Sequence, residues 1–219
     1  PVVLDLSALW AGPLCGDLLG RDSATVIKVE DPRRPDAGRA GSPAFFAAVN
    51  AGKRQLTVDL RGPRLAELLA GADVVITSAR PRAFEQLGIV VEDVLAGSPT
   101  VWVAITAHGW SGPDRNRVGF GDDTAAGAGL VALHPGDGSP RFAADAVADP
   151  LCGILAAAAA RAALSAGGSW FIDASLSGAA RYAAALAGDG PTVAARRGIA
   201  GDWSVDGNEP VAPPRVRAR

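Results

Sequence analysis

The chain has 219 residues, 48% of them hydrophobic and 20% charged, with a net charge of −2, enough for one large domain or two small ones with a sizeable core. That near-neutral balance argues against a general polyanion binder, so no nucleic-acid partner is expected. Cys15 and Cys152 are the two cysteines; their wide separation fits neither a metal nor a redox motif, so buried thiols in a reducing compartment and no metal are expected. The start shows no signal-peptide pattern, and the apolar run 151–164 is short and alanine-rich for a bilayer anchor. A cytoplasmic protein without membrane association is therefore the expectation.

In chain order, VVLDLS (2–7) reads as a buried strand, being short, apolar and β-branched. AGPLCGDLLG (11–20) reads as a helix with Pro13 near its start and Gly20 near its end. TVIKVE (25–30) is a second strand, which makes a strand–helix–strand unit and a parallel pair. Residues 31–52 read as a surface loop with a short helix at PAFFAAVN (43–50). QLTVDL (55–60) is a strand. Pro63 opens a helix that stops at Gly71, ADVVITS (72–78) is a strand, and PRAFEQLG (81–88) is a helix closed by Gly88. EDVLAGSP adds a helical piece and TVWVAIT (100–106) a strand.

Residues 108–123 read as loop, 124–133 as a helix weakened by Gly127 and Gly129, and HPGDGSP as a turn. A long helix starts at Asp149-Pro150, and 169–188 give a strand and a helix. The tail reads as a hairpin about Asp206-Gly207 with a frayed basic end. The alternation predicts an α/β fold: a Rossmann-like, open, mostly parallel sheet with helices on both faces. A single unit over 1–219 is expected, with no repeat and no linker.

Glu30 ends the second strand, where a ribose-binding acid could sit. The first turn, however, lacks Gly-x-Gly, and Leu9 and Trp10 crowd the place a pyrophosphate would take. A dinucleotide cofactor is not expected. The segment RFAADAVADPLCG (141–153) carries more chemistry. Asp149 suits the N-cap and Pro150 the first turn of the alanine-rich helix that follows. Asp149 is thus expected at a positive helix end, ionised and facing open backbone donors. On these residues alone a plain cap is the commoner role.

Six stretches in order resemble the family III CoA-transferases (CaiB/BaiF type), the group that also includes α-methylacyl-CoA racemase. They are VLDLSALWAGPLCGDLLG, ATVIKVEDP, NAGKRQLTVDL, ADVVITSARPRAFEQLG, ADAVADPLCG and IDASLSGAA. The order and spacing hold over about residues 2–181. The resemblance implies an enzyme that moves coenzyme A between an acyl-CoA and a carboxylic acid through an aspartyl-CoA thioester, with Asp149 as the nucleophile. Asp145 falls off the matching register and reads as a solvated neighbour.

For CoA, the candidate contacts are Lys53 and Arg54, Arg33 and Arg34, and Arg80 and Arg82, with arginine forks suited to phosphates. Trp10 lies in the turn that lines the family's CoA channel. It could border the pantetheine arm or simply be a core aromatic. Phe120 stands where the racemases carry a histidine, and His108 and His134 lie elsewhere, so transfer is favoured over racemisation. Asp122 or Asp123 could serve as a base instead. The family's small domain and its glycine-rich lid have no counterpart in the sequence. A homodimer is expected and a partner subunit possible. Acyl-CoA isomerisation and non-catalytic CoA binding stay open as alternatives.

Overall fold

Short β-branched runs become the strands of the central sheet because each can be buried on both faces. The computed structural model describes residues 1–187, Ala195–Arg197 and Trp203–Val205. Its strands are β1 (Val2–Leu6), β2 (Thr25–Glu30), β3 (Arg54–Thr57), β4 (Val74–Thr77), β5 (Val101–Thr106), β6 (Val131–Leu133), β7 (Pro140–Phe142), β8 (Trp170–Ser175), β9 (Ala195–Arg197) and β10 (Trp203–Val205). Six of them form one sheet in the order β3-β2-β1-β4-β5-β8. Every neighbouring pair in it is parallel. The chain first winds from β1 outwards to β3, then returns to lay β4 on the other side of β1. The β1/β4 boundary is therefore the topological switch point, and the loops at the carboxyl ends of these two strands flank the place where such sheets bind ligands.

The helices are α1 (Ala11–Arg21), α2 (Gly38–Gly41), α3 (Pro43–Asn50), α4 (Arg64–Ala70), α5 (Pro81–Leu87), α6 (Val91–Gly97), α7 (Gly121–Gly127), α8 (Ala148–Ala166) and α9 (Leu176–Ala187). They cover both faces of the sheet. On one face Val3, Val26, Val74, Ile76, Val101 and Val103 pack under α1, α8 and α9. On the other, Leu4, Val29, Val75, Trp102 and Ala104 pack under α4, α5 and α6. Alternate strand residues thus supply two cores, as the period of two requires. This is the expected doubly wound α/β architecture.

Helix α8 lies along α1, and glycine makes the approach possible. A Cβ on Gly153 would stand 2.6 Å from the carbonyl oxygen of Ala11 and 3.2 Å from Leu14. With 19 residues, α8 is longer than the apolar run read from the sequence, and its length and composition would allow it to cross a membrane. Its buried face (Cys152, Gly153, Ala156, Ala157, Ala160, Ala163) is packed into the core instead.

Some expected elements differ. The helix expected over 124–133 begins earlier, at Gly121, and ends at Gly127; Val131–Leu133 forms β6, paired antiparallel with β7. Gly129 at φ +93° breaks the helix, and the β-branched and apolar residues after it pair across the HPGDGS turn. Strand β3 stops at Thr57, and α2 was not expected. Residues Pro1–Ala185 form one compact unit and Leu186–Arg219 another. Within the second, β9 and β10 pair antiparallel, Trp203 opposite Arg197. The Asp206-Gly207 turn lies outside the described residues.

Candidate active site

Asp149 is the second residue of α8, and its carboxylate does not cap its own helix. The N-cap position is Val147, in helical conformation and without a side-chain cap bond. This corrects the expected N-cap. The carboxylate turns to its neighbours: Oδ1 accepts the N–H of Ala11, the first residue of α1, at 3.3 Å. The N–H of Gly121, the first residue of α7, faces the same carboxylate and pulls its pKa down. Three helix starts therefore meet at one acid, α1 giving a hydrogen bond and α7 turning an orphan N–H towards it.

Local backbone explains the convergence. Ala146 sits at φ +45°, which turns the chain sharply before α8. Asp122 Oδ1 accepts the Ala146 N–H at 2.7 Å, and the Ala146 carbonyl accepts the Asp149 N–H at 2.9 Å. Asp123 Oδ1 accepts the Phe120 N–H at 2.6 Å and so caps α7. Asp122 and Asp123 thus each spend one carboxylate oxygen on holding backbone. Gly121 is indispensable here, since a Cβ would stand 2.2 Å from Asp149 Oδ2 and 2.5 Å from the Ala146 carbonyl oxygen. Gly121→Ala is expected to displace the carboxylate and to slow any reaction at Asp149 by about 10²-fold, the cost of a misplacement near 1 Å. A rate assay on the variant, alongside its melting curve to show that it folds, checks this.

Burial pushes the Asp149 carboxyl up to about 6, against the downward pull of the Ala11 and Gly121 N–H groups, with the Asp122 and Asp145 carboxylates adding to the rise. At pH 7 it is still mostly ionised, as expected, yet less stably solvated than a surface acid and so a better nucleophile. The adjacent Cys152 is no rival. Burial pushes its thiol up to about 12, and it pushes Cys15 up further. Both thiols are buried, as the sequence led one to expect. Asp145 is exposed.

The expected CoA contacts separate into two groups. Lys53 is not available to a phosphate: it is buried, with Nζ 2.8 Å from Asp5 Oδ2, 2.7 Å from the Pro13 carbonyl and 3.0 Å from Asn50 Oδ1. Burial raises the Asp5 carboxyl, but the Lys53 and Lys28 charges, with bonds from Lys53 and Ser7, outweigh it and hold Asp5 below the usual range. Arg33 is likewise engaged, forking onto Asp31 at 2.9 and 2.7 Å and reaching Asp59. That bidentate bond holds the Asp31 carboxyl far below, and the Arg33 guanidinium above, their ordinary values.

Arg80 donates to the Asn116 carbonyl at 3.1 Å and braces the 108–120 loop. Arg34, Arg54 and Arg82 are exposed and, among the described residues, form no ion pair. Arg54 opens β3, away from the carboxyl edge of the sheet. Trp10 precedes Ala11 and packs edge-on against Phe45 of α3, ring centroids 5.0 Å apart. It is a half-buried aromatic one residue before the Ala11 N–H, with one side held by α3.

Sequence reasoning missed the two N–H donors, the close approach at Gly121 and the buried ion pairs Lys53–Asp5 and Lys28–Asp36. A signal for the pairs was present. Asp5 and Lys28 interrupt otherwise apolar strand runs, and a charge inside a buried strand demands a partner.

An open parallel sheet with a carboxylate bound by a backbone N–H beside its switch point is a doubly wound α/β protein with a candidate ligand site there. The chain belongs to CoA-transferase family III, whose family model matches residues 2–189. It is 32% identical over 176 residues to a succinyl-CoA–D-citramalate CoA-transferase of Chloroflexus aurantiacus, an overlap of 74% of this chain and 44% of that protein. It is 33% identical to a succinyl-CoA:glutarate CoA-transferase of Mus musculus, over 74% of this chain and 40% of that one. A CaiB/BaiF family protein from Brucella suis superposes with a TM-score of 0.77 at 30% identity, covering 84% of this chain and 54% of its own. The chain thus spans less than half the length of the two named transferases and about half that of the Brucella protein.

Proposed function

We propose that this chain provides the nucleophilic half of an acyl-CoA:carboxylate CoA-transferase, with Asp149 forming an aspartyl-CoA thioester. The observation that carries the reading is the carboxylate of Asp149 hydrogen-bonded by the Ala11 N–H and faced by that of Gly121. Those donors fit each stage. Asp149 attacks the thioester carbonyl, the C–S bond breaks, and a mixed anhydride and CoA thiolate result. The thiolate then attacks the aspartyl carbonyl; the anhydride C–O bond breaks and the donor acid leaves. When the aspartyl carbonyl is attacked, negative charge grows on the oxygen that faces the two N–H groups, where fixed donors are most effective. An acceptor carboxylate then attacks the aspartyl-CoA thioester, and the same two steps run backwards to give a new acyl-CoA and free Asp149. No net proton transfer is required.

Arg34 and Arg82, exposed near the carboxyl edge of the sheet, are the candidate phosphate contacts, and Trp10 borders the path to Asp149. Relatives named for succinyl-CoA point to small dicarboxylic acids as first substrates to try. The test is CoA exchange: incubation with succinyl-CoA and a panel of free acids, read by mass. New acyl-CoA species are expected, with a rate that rises with pH through about 6 as Asp149 ionises. Deuterium wash-in at the α-carbon without exchange would replace this reading with an isomerase, and CoA binding with neither would replace it with a non-catalytic binder.

A further inference from the structure

The turn between β1 and α1 is held by charges buried where an ordinary core would be apolar. Lys28 and Asp36 form an ion pair of 3.1 Å with both side chains essentially inaccessible, 0% and 1% exposed. Lys28 Nζ also donates to the Ser7 carbonyl. Both carboxylate oxygens of Asp36 accept the Leu9 N–H, at 3.2 Å each. Asp36 is fixed in turn, its N–H donating to Glu30 Oε1 at 2.7 Å and its Oδ1 accepting the Gly38 N–H at 2.9 Å. The residue so gripped, Leu9, sits at φ +68°, a conformation a leucine rarely adopts unaided. Its own side chain is 42% exposed and gives little anchorage. Two residues on, the Ala11 N–H points at Asp149 Oδ1.

We propose that Asp36, itself held by Lys28, is a positioning residue for the acyl-transfer site: it locks Leu9 in the left-handed conformation and so aims the Ala11 N–H at Asp149. The proposal deepens the reading of Asp149 as nucleophile and takes its catalytic meaning from it. A buried pair that merely stabilised the fold would leave the proton affinity of Asp149 untouched. Loss of the Ala11 N–H would raise it, because that bond favours the charged form. The groups facing Asp149 are the Ala11 N–H from α1, the Gly121 N–H and Asp122 from α7, Asp145 from the preceding turn and the un-ionised Cys152 of its own helix.

The test is a titration of Asp149 by carbonyl-¹³C aspartate NMR, its resonance identified by its loss in Asp149→Asn. In Lys28→Met/Asp36→Leu the pair is replaced by apolar groups, a change buried ion pairs often tolerate. It removes one charge of each sign, so the net Coulomb effect at Asp149 is small. The expected result is a rise of about one pH unit, tenfold in proton affinity. Leu9→Gly added to this background, free to take a positive φ, is expected to bring the value back down. Should the double variant fail to fold, Asp36→Glu serves: it keeps the charge and moves the carboxylate by one methylene, and the same upward shift is expected. An unchanged or lower value in the variant that folds overturns the proposal. In the exchange assay kcat is expected to fall about tenfold with KM unchanged. An absence of exchange in the wild type would defeat the enzyme reading alone, since the NMR titration still decides the positioning role.

Discussion

Asp149→Asn is expected to abolish CoA exchange, by about 10³-fold or more, while raising the melting temperature at pH 7. The first part follows because an amide cannot attack a thioester, and loss of a covalent nucleophile is among the largest single effects in enzymes. The second follows from the carboxylate being held, by burial, at a pKa of about 6. The folded state then binds a proton more tightly than the unfolded state, so between pH 4 and pH 6 stability falls as pH rises. Above pH 6 the full cost of the buried charge is present.

A shift of this size corresponds to about 3 kcal/mol, reduced by solvent screening at a partly exposed group. Asparagine has one acceptor oxygen and no charge, and its weaker interaction with the Ala11 and Gly121 N–H groups removes about 1 kcal/mol more. A net gain of about 1 kcal/mol remains, or ~2–4 °C in Tm for a chain of this length. The gain should vanish near pH 4, where the wild-type carboxyl is protonated as well. Parallel melting curves at pH 7 and pH 4 check this. A variant less stable than wild type at pH 7 would show that the carboxylate stabilises the fold and is not strained for use.

Lys53→Met is expected to cost about 3–5 kcal/mol of stability, because it strands the Asp5 carboxylate in the core. Asp5 is fully buried near the carboxyl end of β1; without Lys53 its remaining bonds come from Ser7. The native pairing holds Asp5 below its ordinary pKa, so the pair's contribution is present above about pH 4 and is lost as pH falls further. Asp5→Leu/Lys53→Met should recover most of the loss, since removing both charges leaves none unpaired. Urea denaturation of the two single variants and the double variant measures the coupling. If Lys53→Met melted like wild type yet bound CoA weakly, Lys53 would be a phosphate contact after all.

Most of the sheet was legible because β1, β2, β4 and β5 are short apolar runs set apart by glycine- and proline-marked helices. Glycine at 88 and 71 closed α5 and α4 where such residues usually do. Strand β6 was read as helix because the four alanines and two leucines of 124–133 favour helix locally, while Gly129 and cross-strand pairing with β7 decide otherwise.

The position of Asp149 at a helix start was readable from Asp-Pro followed by alanines. Its partners were not, because Ala11 and Gly121 contribute only backbone N–H groups, which no side-chain motif announces. The basic residues were less legible. Lys53 and Arg33 look like phosphate ligands in sequence, but Lys53 pairs with Asp5, far off in the chain, and Arg33 pairs with its near neighbour Asp31 as well as with Asp59.

The central claim is that Asp149 becomes acylated and then carries CoA. Incubation with succinyl-CoA followed by hydroxylamine should convert an activated aspartyl carbonyl to a hydroxamate, which peptide mass spectrometry can place. The expected result is a single modified residue, Asp149, absent from Asp149→Asn. A hydroxamate on any other residue, or none under conditions where CoA exchange proceeds, would contradict the account.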